Sequence, residues 1–437
     1  MLSNKNYLII HLLMIASVGF AQNFQDPFLI EYRKEALDHE QHIKMAENNV
    51  EISYRQYKMS VADLMPKVNA SADYWYVQNP MMMTLPDIEQ LGDLAGAELG
   101  QGANHQYGLY TSVTQPIYRG GVLKERKDKA AIKQEMSLDQ LKITQLDVVQ
   151  MTDLQYWKSV AQKELVHAMY SYRDDLTRIE KLVAHKVEVG TVNRSDLLMT
   201  EVRVNRANLA VIQSENDLKV FTMSLNRLLG REFESMLELS DSIVHEPPVS
   251  NVILAIDRPE YHLEEKRLLS TESDINITKG LYRPQLSAVG TGSFSSPGYN
   301  FQPGAVPNVQ AGLMLSIPIY HAGKKQQMVT AAKLKRSNQE LQLQRTREIH
   351  DLEIAQKRVA WENSIKETEI AQTSVAKARE NAATLEERFD EGLIDILEVI
   401  DAQLYLEQAV IEYIQSKLKT KIQYTYYLRA IGHLTTN

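Results

Sequence analysis

The sequence predicts a mixed α+β protein in which long coiled-coil helices alternate with short strands, and three observations carry that prediction. The chain repeats itself at one offset. Its longest stretch free of glycine and proline has the apolar spacing of a helix seam. Several of its other apolar residues fall into runs of strict alternation.

The repeat is read from four anchors. QPIYRGG (Gln115–Gly121) matches IPIYHAG (Ile317–Gly323), with Pro116 and Pro318, and Tyr118 and Tyr320, each 202 residues apart. VEVGTVNRSDLL (Val187–Leu198) matches FDEGLIDILEVI (Phe389–Ile400) with Gly190 and Gly392 at the same offset, and Gly230 and Gly432 keep it. Upstream the offset changes: LMPKVNASADYW (Leu64–Trp75) resembles YRPQLSAVGTGSF (Tyr282–Phe294), but Pro66 and Pro284 are 218 apart. The first copy therefore carries 16 additional residues, which fall in Asn79–Asn104, where Met, Gly and Pro give the composition of a loop at a hairpin tip.

Each copy is expected to run helix, two strands, very long helix, turn, long helix. Asp26 is the expected N-cap of the first helix with Pro27 at N1, and that helix stops near Pro66; Asp257 and Pro259 take similar roles in the second copy. Val122 to about Lys186 lacks Gly and Pro, and as one helix would be roughly 95 Å long. Leu165, Met169, Tyr172, Leu176, Ile179 and Val183 step by four and three, as do Val211, Ser214, Leu218, Phe221, Leu225 and Leu228. Leu393, Leu397, Ile400 and Leu404, and then Ile411, Ile414 and Leu418, continue the pattern in the second copy. So narrow a stripe pairs helices through seams and leaves a broad face wet.

The strands follow another rule. Val68, Ala70, Ala72, Tyr74 and Tyr76 share one face, as do Tyr107, Leu109, Thr111 and Val113, and in the second copy Val309, Ala311, Leu313, Leu315 and Ile317. Runs of about 9–11 residues match what a tilted strand needs to cross a bilayer; the alternative is a surface hairpin of a soluble protein. Four strands cannot close a barrel, since spanning barrels have at least about eight and an open edge in lipid leaves backbone groups unpaired. Strands that enter a membrane here require the chain to oligomerise.

Composition narrows the function. A formal charge of −8 over 437 residues argues against nucleic acid, and the absence of cysteine removes disulfides, thiolate metal sites, catalytic thiols and a lipidated N-terminal Cys. Residues 1–21 are expected to be a signal peptide: Lys5 precedes an apolar stretch from Tyr7 to Phe20, and Gly19 and Ala21 fit a small-residue cleavage site that leaves Gln22 first. His39 and His42 lie three apart beside Glu40, too few ligands for a metal site, and no HExxH, Walker, dinucleotide or GxSxG motif occurs. No enzyme, metal or cofactor is expected. Trp75 falls on a strand, where an interfacial girdle would hold it, whereas Trp157 and Trp361 fall on long helices and suit a core or seam.

PIYRGG and PIYHAG at the strand-to-helix junctions, the blocks VGTVNRSDLL and EGLIDILEVIDAQ, and RPEYHLEEKRLL (Arg258–Leu269), in this order and duplicated, resemble the TolC family of outer-membrane efflux proteins over essentially all of Asp26–Gly432. The resemblance implies a homotrimer whose twelve strands form one barrel in outer-membrane lipid and whose helices form an α-barrel projecting into the periplasm. It further implies a periplasmic adaptor protein and an inner-membrane pump as partners, and passive export from a Gram-negative periplasm, by efflux or type I secretion. The alternative is a soluble periplasmic coiled-coil scaffold or adaptor. The expected layout is a signal peptide (1–21), first helix (22–66), outer-membrane hairpin (67–116), long helix pair turning near 190 (117–230), inter-repeat linker or equatorial region (231–257), and then first helix (258–284), hairpin (285–318), helix pair turning near 392 (319–432) and tail (433–437).

On the same resemblance, Val189, Gly190, Thr191, Gly392 and Leu393 form adaptor-docking tip turns, with the glycines at the positive-φ position of a tight turn. Pro116, Tyr118, Pro318 and Tyr320 mark the strand–helix junctions. Glu398, Asp401 and Asp196 are the expected acidic constriction, a cation-favouring ring when repeated by symmetry. The competing assignment is capping: Asn193 and Asp395 as N-caps would put Asp196 and Glu398 at N3 of a capping box. Phe389 and Ile394 stand where the family's reference member carries a latching aromatic and arginine, so that latch is not expected here.

Overall fold

The computed structural model describes residues 26–101, 103–243, 258–299 and 304–435. The expected signal peptide, Asp257 and most of the expected linker lie outside the described residues. The chain divides into two compact units, one of residues 1–47, 139–261 and 345–437, the other of 48–138 and 262–344. No helix among the described residues is long and apolar enough to cross a membrane.

The elements in chain order are α1 (Pro27–His39), α2 (Gln41–Ala62), β1 (Lys67–Tyr76), β2 (Met82–Thr84), a 3-10 segment (Glu89–Leu94), β3 (Glu98–Gln101), β4 (His105–Arg119), α3 (Val122–Glu188) and α4 (Arg194–Leu229). The second copy supplies α5 (Pro259–Gly280), β5 (Gln285–Ser296), β6 (Val306–Ser316), α6 (Lys324–Asp390) and α7 (Ile396–Ala430). Asp26 caps α1 as its composition suggests: the side chain accepts from the Phe28 N–H at 3.0 Å, and Pro27 opens the helix. The first helix is broken once, at Glu40, whose ψ of 125° leaves the helical region. Neither Gly nor Pro signals that break. Glu40 is buried there, and its N–H still closes on the Ala36 carbonyl at 2.9 Å.

In the first unit the helices α1, α3, α4 and α7 share a core of Leu29, Tyr32, Tyr156, Val160, Leu225 and Ile414, with Trp157 also buried in it. Each fully buried aliphatic side chain contributes about 1.5–3 kcal/mol. Leu176, Ile179 and Val183 of the expected α3 seam are fully buried, as is Leu225 of the α4 seam. Of the expected α7 seam Ile400 and Ile414 are buried, but Leu393 and Leu397 are exposed and Ile396 and Val399 take the buried positions before Ile400, because the helix begins only at Ile396 and Leu393 belongs to the preceding turn. Trp361 stacks on Tyr427, with ring centroids 5.3 Å apart, in a smaller cluster with Ile431.

In the second unit β1, β4, β5 and β6 form one antiparallel sheet in that order. Its register carries the sequence alternation across every strand. Val68 pairs with Val113, Ala72 with Leu109 and Tyr74 with Tyr107; Leu109 pairs with Phe294; Gly292 pairs with Val309 and Ala288 with Leu313. Since opposed residues project to the same side of a sheet, one face is mostly apolar, with His105, Thr111 and Ser296 as its polar members, and the other carries Asn69, Ser71, Ser112, Thr291, Ser293 and Gln310. The segment expected to be a plain loop, Asn79–Asn104, instead contains its own two-stranded β2–β3 ladder and the 3-10 segment, so the described residues hold six strands and not four.

Candidate functional site

The tips of the two helix pairs close alike. Gly190 donates to the Val187 carbonyl at 3.0 Å and Thr191 to that of Lys186 at 2.9 Å; Gly392 donates to Phe389 at 3.0 Å and Leu393 to Arg388 at 2.9 Å. This double closure is the Schellman arrangement, and it needs a left-handed residue at the position each glycine holds, φ 77° in both. Val189 and Leu393 consequently project from the tips, 61% and 63% exposed, with Thr191 and both glycines also on the surface.

Asn193 and Asp395 occupy the N-cap positions, with extended backbone, but neither side chain makes a capping hydrogen bond. The capping-box assignment for Asp196 and Glu398 is thus not formed. Glu398 and Asp401, three residues apart on α7, are both exposed, while Val399, Ile400 and Ala402 turn into the core; Asp196 is half-buried beside Ser195. Two carboxylates on one wet face of a helix otherwise packed against its neighbours is the geometry an acidic ring would need.

Phe389 is buried among Leu176, Ile179, Val183, Ile396 and Ile400, with Ile394 packed against the same cluster. Lys186 lies over the Phe389 ring at 5.4 Å, donates to the Asp390 carbonyl at 2.7 Å and faces the Asp390 carboxylate at 3.7 Å. Two turns back, Arg178 forms a two-point contact with Glu386. Lys186, Arg178, Glu386 and Asp390 tie α3 to α6 behind the tips, and none of these four was singled out from the sequence. No local pattern flags them, since cations eight residues apart on one helix face acids four apart on the other.

Farther from the tips, between α3 and α7, Tyr172 hydrogen-bonds Glu407, with Arg203 of α4 in range, and Lys417 of α7 meets Glu164 of α3. Burial pushes the Glu407 carboxyl above its ordinary value, against the opposing pull of the Tyr172 hydrogen bond and Arg203. Burial and then the nearby Glu407 charge push the Tyr172 hydroxyl up as well.

The two strand–helix junctions differ despite their matching sequences. Pro116 and Tyr118 lie within β4, which continues to Arg119 because β5 pairs with it there across a bulge. Pro318 and Tyr320 follow the end of β6, and Tyr320 is largely exposed. β4 is flanked on both sides, whereas β6 is a sheet edge with one neighbour.

On the apolar sheet face Val68, Tyr74, Leu109, Phe294, Val309, Leu313 and Leu315 are all exposed, Val309 at 82%. Trp75 is exposed too, but it pairs with Gln106 and so lies on the opposite, polar face between Tyr74 and Tyr76, not on the side an interfacial girdle would use.

Three comparisons bear on this geometry. The family model described as "Outer membrane efflux protein" matches residues 32–231 and 258–433. A solvent efflux pump outer membrane protein, SrpC of Pseudomonas putida, is 22% identical over 391 residues, covering 87% of this chain and 80% of its own. A probable efflux pump outer membrane protein, TtgC of Pseudomonas putida, is 22% identical over 420 residues, 93% of this chain and 84% of its own. Among solved structures, the outer membrane protein VceC of Vibrio cholerae superposes with a TM-score of 0.76 at 13% identity, over 94% of this chain and 97% of that one.

Proposed function

The chain belongs to the outer membrane efflux protein family, and on that premise we propose that three copies assemble into the outer-membrane channel of a tripartite efflux or type I secretion system. The observation that carries this reading is the mostly apolar face of the β1–β4–β5–β6 sheet, which runs over four strands and is exposed along β1, β4 and β6 and at Phe294 of β5. Contiguous exposed apolar surface of that kind calls for a cover. A soluble scaffold would bury that face, and here its side chains are largely exposed. Lipid is the cover that fits strands of 10 to 15 residues with a polar opposite face. Because β1 and β6 are edges, the sheet closes only by joining other copies; three give twelve strands, within the range of closed spanning barrels.

The rest of the chain then extends into the periplasm as paired helices forming an α-barrel, entered after export and removal of residues 1–21. Transport is passive: the walls offer a path and a field, and no bond is made or broken. Glu398 and Asp401, with Asp196 on the other turn, narrow and charge the inner end, favouring cations. The exposed apolar Val189 and Leu393, each beside a rigid glycine turn at Gly190 or Gly392 and flanked in the first copy by Thr191, are the surfaces a periplasmic adaptor protein engages, and an inner-membrane pump supplies the drive.

The test is direct. The protein is recovered from the outer-membrane fraction in detergent, its mass measured by native mass spectrometry, and its conductance recorded in a planar bilayer. A three-chain mass and discrete conductance steps are expected. A monomer that stays in solution without detergent and carries no current overturns the reading.

A further inference from the structure

Within the first unit, α3, α6 and α7 enclose an open groove of about 550 Å³. It takes one stripe from each helix: Glu164 to Asp175 of α3, Gln372 to Arg379 of α6 and Gln403 to Ile414 of α7, stepping mainly by three and four. By the helical rise it runs roughly 16 Å. Its floor is apolar, with Met169 and Ile414 buried and Leu406 and Val410 beside them. Its α3 and α6 rims are exposed, at His167 and Gln372. A volume of about 300–1,000 Å³, apolar walls and a few convergent polar groups are the attributes of a small-molecule site.

Two pairs of tyrosine and carboxylate stand in the wall, and one of them already holds a cation. Toward the end away from the tips, the Lys417 ammonium lies 4.8 Å from the Tyr413 ring centroid and meets Glu164. In the middle, the Tyr172 hydroxyl donates to Glu407, which has no ion-pair partner among the described residues; Arg203 of α4 acts on it at longer range. Burial holds the Glu407 carboxyl above its ordinary value despite both. A single hydroxyl leaves most of a carboxylate's acceptor capacity unused. Toward the tips no acid is bare. Asp175 faces Arg178 at 3.2 Å, and Arg379 stands at the same height, since the interval from Asp175 to Arg379 equals that between the contacting Lys186 and Asp390. Tyr172 and Glu407 thus repeat Tyr413 and Glu164 with the ammonium missing.

We propose that this groove binds an amphiphilic organic ammonium ion, with its charge on Glu407 and the Tyr172 ring and its apolar body along Met169, Val410 and Ile414. An ammonium on a carboxylate makes a charge-assisted hydrogen bond, and the ring face adds cation–π attraction. The bound ion gives Glu407 what Lys417 gives Glu164. Glu407 lies nine residues beyond Glu398, about two and a half turns, so the two carboxylates leave α7 on opposite sides. On the channel reading above, in which Glu398 faces the duct, the groove opens toward the periplasm and its occupant is a ligand of the wall, not cargo in transit. That placement rests on the channel reading; the amine site rests on the groove.

Purified full-length protein in neutral detergent is dialysed to equilibrium against propranolol, an aryl secondary amine that is cationic at neutral pH, and against its uncharged N-acetyl derivative, with protein-free micelles as the blank. Saturable propranolol binding is expected for wild type, for Glu412→Gln, exposed on the far side of α7, and for Glu398→Ala/Asp401→Ala. Binding is expected to fall on the order of tenfold in Glu407→Gln and for the N-acetyl derivative. It is expected to vanish in Val410→Trp, which fills the floor, with oligomeric mass kept in every variant. Equal binding by Glu407→Gln or by the N-acetyl derivative overturns the proposal. So does loss of binding in Glu398→Ala/Asp401→Ala, which moves the amine into the duct, and so does loss of oligomeric mass in Val410→Trp, which marks the groove as the seat of a second copy. A wild type that binds the amine as expected yet carries no current supports the groove and condemns the channel reading alone.

Discussion

Arg33 and Asp153 form a bidentate ion pair, Nε to Oδ1 and Nη2 to Oδ2 both at 2.6 Å, with side chains 8% and 2% exposed. The pair pins α1 to the middle of α3. Burial pushes the Asp153 carboxyl above its ordinary value, and the Arg33 contacts work against that shift. Removing one partner strands the other charge in the core, so Arg33→Ala is expected to cost about 3–5 kcal/mol. Replacing both, as Arg33→Met/Asp153→Leu, is expected to be neutral or stabilising. Thermal unfolding of the detergent-solubilised single and double variants checks this; a double variant as unstable as the single one refutes it.

Glu398 and Asp401 are exposed on one face of α7, clear of any capping bond. Glu398→Ala/Asp401→Ala is expected to raise single-channel conductance or weaken cation preference, measured as reversal potential in a salt gradient. Unchanged current and selectivity would remove the acidic ring from the constriction and leave the fold untouched.

The Lys186 contacts to Phe389 and Asp390, with Arg178 on Glu386, hold the two tip turns to each other. Arg178 is more than half exposed, and such a pair is worth at most about 1 kcal/mol. Lys186→Met alone is expected to change resting conductance little. Lys186→Met/Arg178→Met is expected to raise the fraction of time spent in the larger-conductance state several-fold, with thermal stability nearly unaltered.

Glycines at φ near +70° are not equal. A Cβ at Gly190 or Gly392 would meet nothing within 4 Å, so Gly190→Ala suffers only left-handed strain, about 1 kcal/mol. At Gly120 the same atom would sit 2.1 Å from the Gly280 carbonyl oxygen. Gly120→Ala is expected to cost several times more and to reduce the yield of assembled protein in the membrane fraction.

Glu407 supplies a pH dependence with a definite sign. A carboxyl whose native pKa is raised above its ordinary 4.5 penalises the native state when ionised, and the penalty vanishes as pH falls through the native value and below 4.5. Glu407→Gln keeps an acceptor for Tyr172 and drops the charge. It is expected to melt higher than wild type near pH 8, with the advantage disappearing at about pH 4.5. Parallel melting curves across that range would rule out the shifted carboxyl.

The repeat, the element order and the strand alternation were legible because each is a local pattern. Heptad steps foretold the buried Leu176, Ile179 and Val183, and period-two runs foretold which side of the sheet is apolar. What escaped was set by neighbours. The break at Glu40 has no local breaker, and the extension of β4 through Pro116 to Arg119 depends on β5 lying beside it. Leu393 and Leu397 fit the seam spacing but precede or flank a helix start fixed by the turn geometry. At the tips the glycines announced themselves through the conformation they allow, while Lys186 and Arg178 gave no such sign, since a long cation on a helix looks the same whether it meets water or an acid on another helix.

A sheet with one greasy side and two open flanks has a history as well as a place. On the assembly proposed above, the chain carries unpaired backbone at β1 and β6 and Val309 bare to water until other copies join it. That interval is its most hazardous, when wrong partners compete with right ones. Under the same proposal, shielding of the hairpins by an escort is expected to raise the yield of channels, and overproduction without it to yield precipitate.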